Sequence, residues 1–377
     1  LFAWWLDSNM TLSTRQINGI ALTSTFITSI LTFATRFAYG YGIFVAFSVL
    51  GFAAGIIVPL LQRFIINQIP QNSRGKALGS SIGIALFVNF VLFILLVPVG
   101  GSTAIYTKAY ADSQACLASV IFLMTGLSAT GFCGNKAQPV QAIPDYSIPD
   151  TVQETRAVIM PRFIVMIFVV CLCFYSNVGI QDHVITLSWF AGGNAMFFTR
   201  IFSFIGAFAA GILCDRNGRH VLIVSSMVLL AAGIISMILA YHGVLAFISL
   251  SLVQLAYTAF DISIKLMMAD MSLYSKKPVL IASMGFSFPY LMRQLGSILG
   301  ASLTAHGLVP VFITLVLLLI LSSPLLTMLF DEIRNMYLFR FNTFNPSGRQ
   351  ASLNENITIC DTSPQSEDLK DCNSSIN

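Results

Sequence analysis

The sequence predicts an all-α polytopic membrane protein. Three observations predict it. Of the 377 residues, 56% are hydrophobic and only 10% are charged, against about 25% charged in an ordinary soluble domain. Ten apolar stretches have helical length, at 18–35, 43–64, 78–99, 115–133, 160–180, 190–212, 221–241, 244–266, 279–303 and 308–330. Their runs of Leu, Ile, Val and Phe lack the period-2 alternation of a membrane β-barrel.

Each stretch is close to the roughly 20 residues that an α-helix needs to cross about 30 Å of hydrocarbon. Four stretches precede residues 134–158, the longest polar break, which carries Pro139, Pro144 and Pro149. Six follow it. The reading is therefore a partial N-terminal bundle over 1–133, a linker over 134–158, a six-helix bundle over 159–332 and a tail over 333–377. Residues 346–377 are rich in Ser, Asn and Asp, a composition that cannot bury a core and is expected to be disordered.

Basic residues set the orientation. With the chain starting inside, all of the 20 Lys and Arg residues fall on one side except Arg36 and Lys108 on the other, and Arg200 and Arg293 within spans. That side is cytoplasmic by the positive-inside rule. The net charge of +4 is thus a topology signal and gives no reason to expect a nucleic-acid partner. The lipid bilayer is the expected surrounding, in a multi-pass cell-membrane protein with both termini cytoplasmic.

The 7 Cys and 4 His residues show no paired or metal-ligand spacing. Cys171 and Cys173, two apart on a helix, point to different faces, and Cys360 and Cys372 lie in a reducing tail. No disulfide, metal, cofactor or enzymatic activity is expected. No Gly-x-x-x-x-Gly-Lys-Ser/Thr loop is present, so nucleotide-driven work is not expected either.

Between the stretches 190–212 and 221–241 lies Gly211-Ile-Leu-Cys-Asp215-Arg216-Asn-Gly218-Arg219-His220. It matches, almost position for position, the Gly-x-Leu-x-Asp-Arg-x-Gly-Arg-Arg/Lys loop of the major facilitator superfamily, and the chain resembles a transporter of that family. A partial second signal is Gly51-Phe-Ala-Ala-Gly55-Ile-Ile-Val-Pro59, then Pro70, then Arg74-Gly75-Lys76-Ala77-Leu78-Gly79. This spacing is similar to the family's fourth helix and following loop. Met268-Ala269-Asp270 and then Lys277 echo it in the second half, as expected of two facing bundles built from repeats. The resemblance runs from residue 1 to about residue 332. It implies a two-bundle fold of six plus six helices, with two helices ahead of those counted here and Leu1 to Leu6 as the inner end of the second.

Departures from the pattern bear on the solute. Phe47 stands where the family's fourth helix usually has Arg, and the first-half copy of the charged loop is reduced to Asp7 and Arg15. Proton-coupled drug exporters carry Gly-Pro-x-x-Gly-Gly in the fifth helix. The stretch 78–99 offers Phe87, Asn89, Phe90 and Phe93 instead.

The resemblance implies that the loop of Gly211, Asp215, Arg216, Gly218 and Arg219 gates alternating access, with Asp215 meeting the helix that begins near Ala77 to Ser81. Asp215 suits a helix N-terminus, glycine allows the tight turn, and otherwise the two arginines are simple anchors on the basic side. Arg200 and Arg293 lie within roughly 3 Å of the centres of their stretches at 1.5 Å per residue. An arginine there costs about 2.5–3.5 kcal/mol and suits carboxylate or phosphate capture. Either the two face a solute cavity, with Tyr257, Tyr290 and Gln294 nearby, or each pairs with a helix carbonyl or a buried acid. Asp261 and Lys265 stand four apart, acid first, the favourable order for an intrahelical pair. Asp261 is either half of that pair or a carboxylate that couples transport to a gradient.

The expected function is secondary active transport of a small anionic or zwitterionic solute by alternating access, coupled to H+ or Na+, in a monomer. The alternatives are a multidrug efflux transporter and a membrane-embedded solute sensor.

Overall fold

A computed structural model describes residues 2–8, 14–34, 55–63, 65, 66, 69, 73–100, 150–184, 199–239, 243–272, 275 and 277–344. Residues 43–54 of the stretch 43–64, the whole stretch 115–133 and most of the linker lie outside the described residues. Nine helices carry names here: α1 (Phe2–Ser8), α2 (Thr14–Ala34), α3 (Arg74–Gly100), α4 (Asp150–Val184), α5 (Arg200–Asn217), α6 (Arg219–Leu239), α7 (Gly243–Ser272), α8 (Pro278–Thr304) and α9 (Leu308–Phe344). Residues 55–63 are also helical, and no strand occurs among the described residues.

Among the described residues, four helical segments are long and apolar enough to cross a membrane: Pro161–Gln181, Arg219–Leu239, Phe247–Ser272 and Leu308–Asp331. An all-helical chain with such segments is consistent with an α-helical membrane protein. Inside two of these helices Ser226, Thr258 and Ser263 donate to the carbonyl oxygen four residues earlier, as does Thr28 in α2. Their hydroxyls thereby need no water.

Two helices run past their apolar stretches. Residues 150–158, expected as linker, form the first turns of α4. No proline falls between Pro149 and Pro161, so the polar break can end as helix. Residues 333–344, expected as tail, continue α9 to Phe344, because the Asp331-Glu-Ile-Arg-Asn-Met-Tyr-Leu segment still has apolar residues at helical spacing.

The chain divides into two compact units, Leu1–Met328 and Leu329–Asn377. Of the second, the described part is the end of α9. In the first, α4 packs on α8, α6 on α7 and α3 on α5, while α7 also touches α3, α4, α5 and α8. Residues 260–272 of α7 are accordingly buried without a break.

Two seams bring helix backbones into contact. A Cβ on Gly79 of α3 would lie 2.6 Å from the Ala207 carbonyl oxygen of α5 and 2.7 Å from the Gly211 Cα, so no side chain fits between these helices. In the other seam a Cβ on Gly296 of α8 would lie 2.5 Å from the Ser176 Cα of α4. Small residues permit such close approach where lipid offers no hydrophobic drive for helix association. Around the first seam Leu78, Ala207, Ala210, Cys214, Leu222, Ile262 and Leu266 form one buried cluster from α3, α5, α6 and α7.

Candidate functional site

Two groups of residues stand out, a charged clasp at the Lys/Arg-bearing helix ends and a polar chain inside α4, α7 and α8.

The clasp begins with Asp215, in the last turn of α5. Its Oδ1 accepts from the Gly75 N–H at 2.9 Å and its Oδ2 from the Lys76 N–H at 2.8 Å. These amides open α3, and the first amides of a helix have no partner within it. The carboxylate therefore fills both vacancies and meets the positive end of the helix dipole. Contact falls at Gly75 and Lys76, one to two residues before the expected Ala77 to Ser81. The position is set by Gly75, where a Cβ would collide with Asp215 and with the Gly211 carbonyl oxygen.

Asp7 of α1 makes the same contact with α8. Its Oδ1 accepts from Val279 N–H at 3.0 Å and its Oδ2 from Leu280 N–H at 2.9 Å. Burial pushes this carboxyl above its ordinary value, opposed by the Leu280 and Val279 amides and by the Arg63 and Lys277 charges. The ammonium of Lys277 lies 5.0 Å from the Trp4 ring centre. Asp7, a remnant by sequence, thus repeats the role of Asp215 on the other pair of helices.

A third acid ties the same end together. Asp270 of α7 receives Arg74 Nη1 on Oδ1 at 3.0 Å and faces Arg219 Nε from Oδ2 at 2.7 Å. Arg74 also donates Nε to Ile69 O and Nη2 to Ile66 O. Arg74 and Asp270 are both buried, a placement that charges keep only when paired and hydrogen-bonded.

Of the loop residues, Gly211 is buried in the α3–α5 seam and Arg216 is exposed. Gly218 adopts φ +86°, ψ 159° between α5 and α6, a conformation open to glycine and strained for a residue with a Cβ.

The inner chain starts at Arg293 of α8, whose guanidinium carbon lies 4.7 Å from the centre of the Tyr257 ring on α7. Tyr257 meets Tyr175 of α4 edge-on, centroids 6.1 Å apart. The Tyr175 hydroxyl donates to Asp261 Oδ1 at 3.1 Å, and Asp261 Oδ2 pairs with the Lys265 ammonium. Lys265 Nζ in turn lies 4.6 Å from the Phe286 ring centre on α8.

The structure brings Arg293 and Tyr257 together, whereas Tyr290 (61% exposed) and Gln294 stay on the exposed face of α8. Arg200 is the first residue of α5, following the Thr199 turn; its side chain and residues 185–198 lie outside the described residues. Among other polar groups in the stretches, Asn177 donates to Leu315 O at 2.9 Å and Gln254 accepts from Ser203 at 2.8 Å. Both serve helix packing.

Sequence reasoning missed Tyr175, an ordinary aromatic within an apolar stretch, and the convergence of Arg74 and Arg219 on Asp270. The echo of Asp270 with Lys277 was visible, but not the partner. Among the described residues no three His, Cys, Asp or Glu side chains gather as metal ligands.

No family model matches the chain, and no curated protein is found to resemble it significantly.

Proposed function

We propose that the chain is a secondary transporter of the major facilitator type, with ten helices spanning the cell membrane in a four-plus-six arrangement. In this reading it moves a small anionic or zwitterionic solute by alternating access. The observation that carries the reading is the pair of reciprocal carboxylate caps, Asp215 on the start of α3 and Asp7 on the start of α8. Each joins an element of one proposed bundle to a helix of the other, at the end that bears the basic residues. Such contacts hold one end closed while the other opens, and their loss would release the opposite state.

Arg293 supports the anionic preference. A guanidinium held over an aromatic face keeps its charge and its donor fork, which suit a carboxylate or a phosphate. Arg200, Tyr290 and Gln294 remain as further contacts to test. The test is thermal stabilisation of the purified full chain across anionic, neutral and cationic solutes, since a ligand of the folded state raises stability by mass action. Selective stabilisation by anions, lost in Arg293→Gln, is expected. Stabilisation by lipophilic cations would move the reading to drug efflux. Binding without accumulation in proteoliposomes would favour a sensor.

A further inference from the structure

The seam between α3 and α5 has two unlike sides. The helices run antiparallel, since Asp215 near the end of α5 caps the start of α3. On one side Leu78 of α3 and Ala210 and Cys214 of α5 join the buried cluster with α6 and α7. The other side carries an exposed stripe from each helix: Lys76, Ile84 and Phe87 on α3, and Ile205, Phe208, Ile212 and Arg216 on α5. Spacings of three, four and eight residues keep each set on one helix face. Lys76 follows Gly75 and Ile212 follows Gly211, the residues in backbone contact. One step of about 100° past the contact, taken in each of two antiparallel helices, points to the same side of the pair.

Lys76 and Arg216 stand at the same end of these stripes. Asp215 spends both its oxygens on the Gly75 and Lys76 amides, and among the described residues no carboxylate pairs with either cation. From Lys76 to Phe87, and from Arg216 back to Ile205, the helix rises about 16 Å at 1.5 Å per residue, close to half of the roughly 30 Å hydrocarbon core. Phe208 lies over Gly83, where a Cβ would stand 2.7 Å from its ring, and Phe87 meets Phe204 edge-on at 5.4 Å. The surface is thus cationic at one end and apolar for the depth of one leaflet. A further helix fits it poorly, because helices approach in lipid on small residues and the glycines here are already used inside the seam. A soluble anion would use the cations and leave the apolar length idle.

We infer that this side of the α3–α5 seam binds one anionic phospholipid, its phosphate between Lys76 and Arg216 and an acyl chain along Ile84, Phe87, Ile205, Phe208 and Ile212. Basic pockets between membrane helices hold such headgroups. The phosphate bridges the two helices that Asp215 already joins, so the lipid favours the closed clasp. The inference requires a bilayer around the chain and is independent of any transported solute.

The experiment uses no solute, so it succeeds or fails apart from the transporter reading. Native mass spectrometry of the full chain in detergent compares phosphatidylglycerol with phosphatidylcholine of the same acyl chains. Phosphatidylglycerol is expected to bind roughly 30-fold more tightly, the fold-change of about 1 kcal/mol for each of two basic residues near a lipid surface. Lys76→Gln/Arg216→Gln, at two exposed positions, should lose most of that preference. Arg162→Gln, an exposed cation on α4, which packs chiefly on α8, should keep it; an equal loss there would mean a general charge effect and overturn the inference. Inorganic phosphate bound as tightly as the lipid, and lost in the same double variant, would make this a free-anion site and also overturn it. Seating of the chain is read with phosphatidylglycerol carrying a diazirine in its acyl chain. Cross-links are expected within residues 84–87 and 205–212, and equal labelling there by the phosphatidylcholine analogue would show lipid contact without a site.

Discussion

Asp215 and Gly75 form a close junction of the clasp: the carboxylate accepts the Gly75 amide at 2.9 Å in a space that a Cβ on residue 75 would occupy. Cap and close approach depend on each other here. The acid can reach two amides of α3 because glycine removes the atom that would stand in the way.

Asp215→Asn keeps one acceptor oxygen and loses the charge that meets the helix dipole, a change of about 0.5–2 kcal/mol for a cap. In the proposed cycle this slows turnover severalfold while solute affinity stays within a factor of about two. Initial rates in proteoliposomes and thermal-shift titrations separate the effects; unchanged turnover would remove the loop from gating.

Gly79→Ala places a methyl 2.6 Å from the Ala207 carbonyl oxygen, where backbone faces backbone and neither can swing aside. The α3–α5 seam should open, with a loss of roughly 1–3 kcal/mol as in overpacked cores. Cysteines introduced at exposed Lys76 and Arg216 would report it by faster maleimide labelling than in the parent.

Asp270→Asn leaves Arg74 and Arg219 facing each other without an anion. Removing one partner of a buried ion pair costs about 3–5 kcal/mol, and the lower end is expected here because Arg219 keeps some solvent contact. Adding Arg74→Gln should recover part of the loss. Denaturation of single and double variants in detergent provides the cycle, and strict additivity would rule out the coupling.

Asp7 gives a pH dependence with a definite sign. Its folded value is raised, principally by burial, so its contribution to stability is largest below the ordinary carboxylate value of 3.8 and is lost as pH rises through the raised one. Melting curves of the protein and of Asp7→Asn should therefore diverge in the acid range, the parent gaining relative to the variant as pH falls. The opposite slope would show that the Val279 and Leu280 amides outweigh desolvation.

Tyr257→Leu removes the ring under Arg293 and leaves the guanidinium in place. A loss of about 0.5–2 kcal/mol in anion affinity is expected for a cation–π contact, smaller than that of Arg293→Gln. Equal losses in the two variants would mean that the ring itself contacts solute.

How far the site could be read in advance differs residue by residue. Gly218 was legible because a glycine between two helices at that spacing has a local conformational reason, and it adopts φ +86°. The Asp261–Lys265 pair was legible because both residues lie on one helix four apart. The place of Arg200 was taken from the centre of an apolar run, and hydropathy does not record that α5 begins at residue 200. Tyr175 was invisible because its partner lies 86 residues away and its own neighbours are uniformly apolar.

Composition and local order by themselves determined the helical character, the apolar segments long enough to cross a membrane and the position of the charged turn. Each follows from free energies that act within about 20 residues, namely transfer into lipid and helix geometry. Only the tertiary structure decided that Asp7 caps a helix 272 residues further on, that Asp270 receives two arginines, and that Tyr175 joins Asp261 to the ring beneath Arg293. Those pairings depend on which helix backbones can approach, and the approach is set by seams of small residues whose partners no single segment contains.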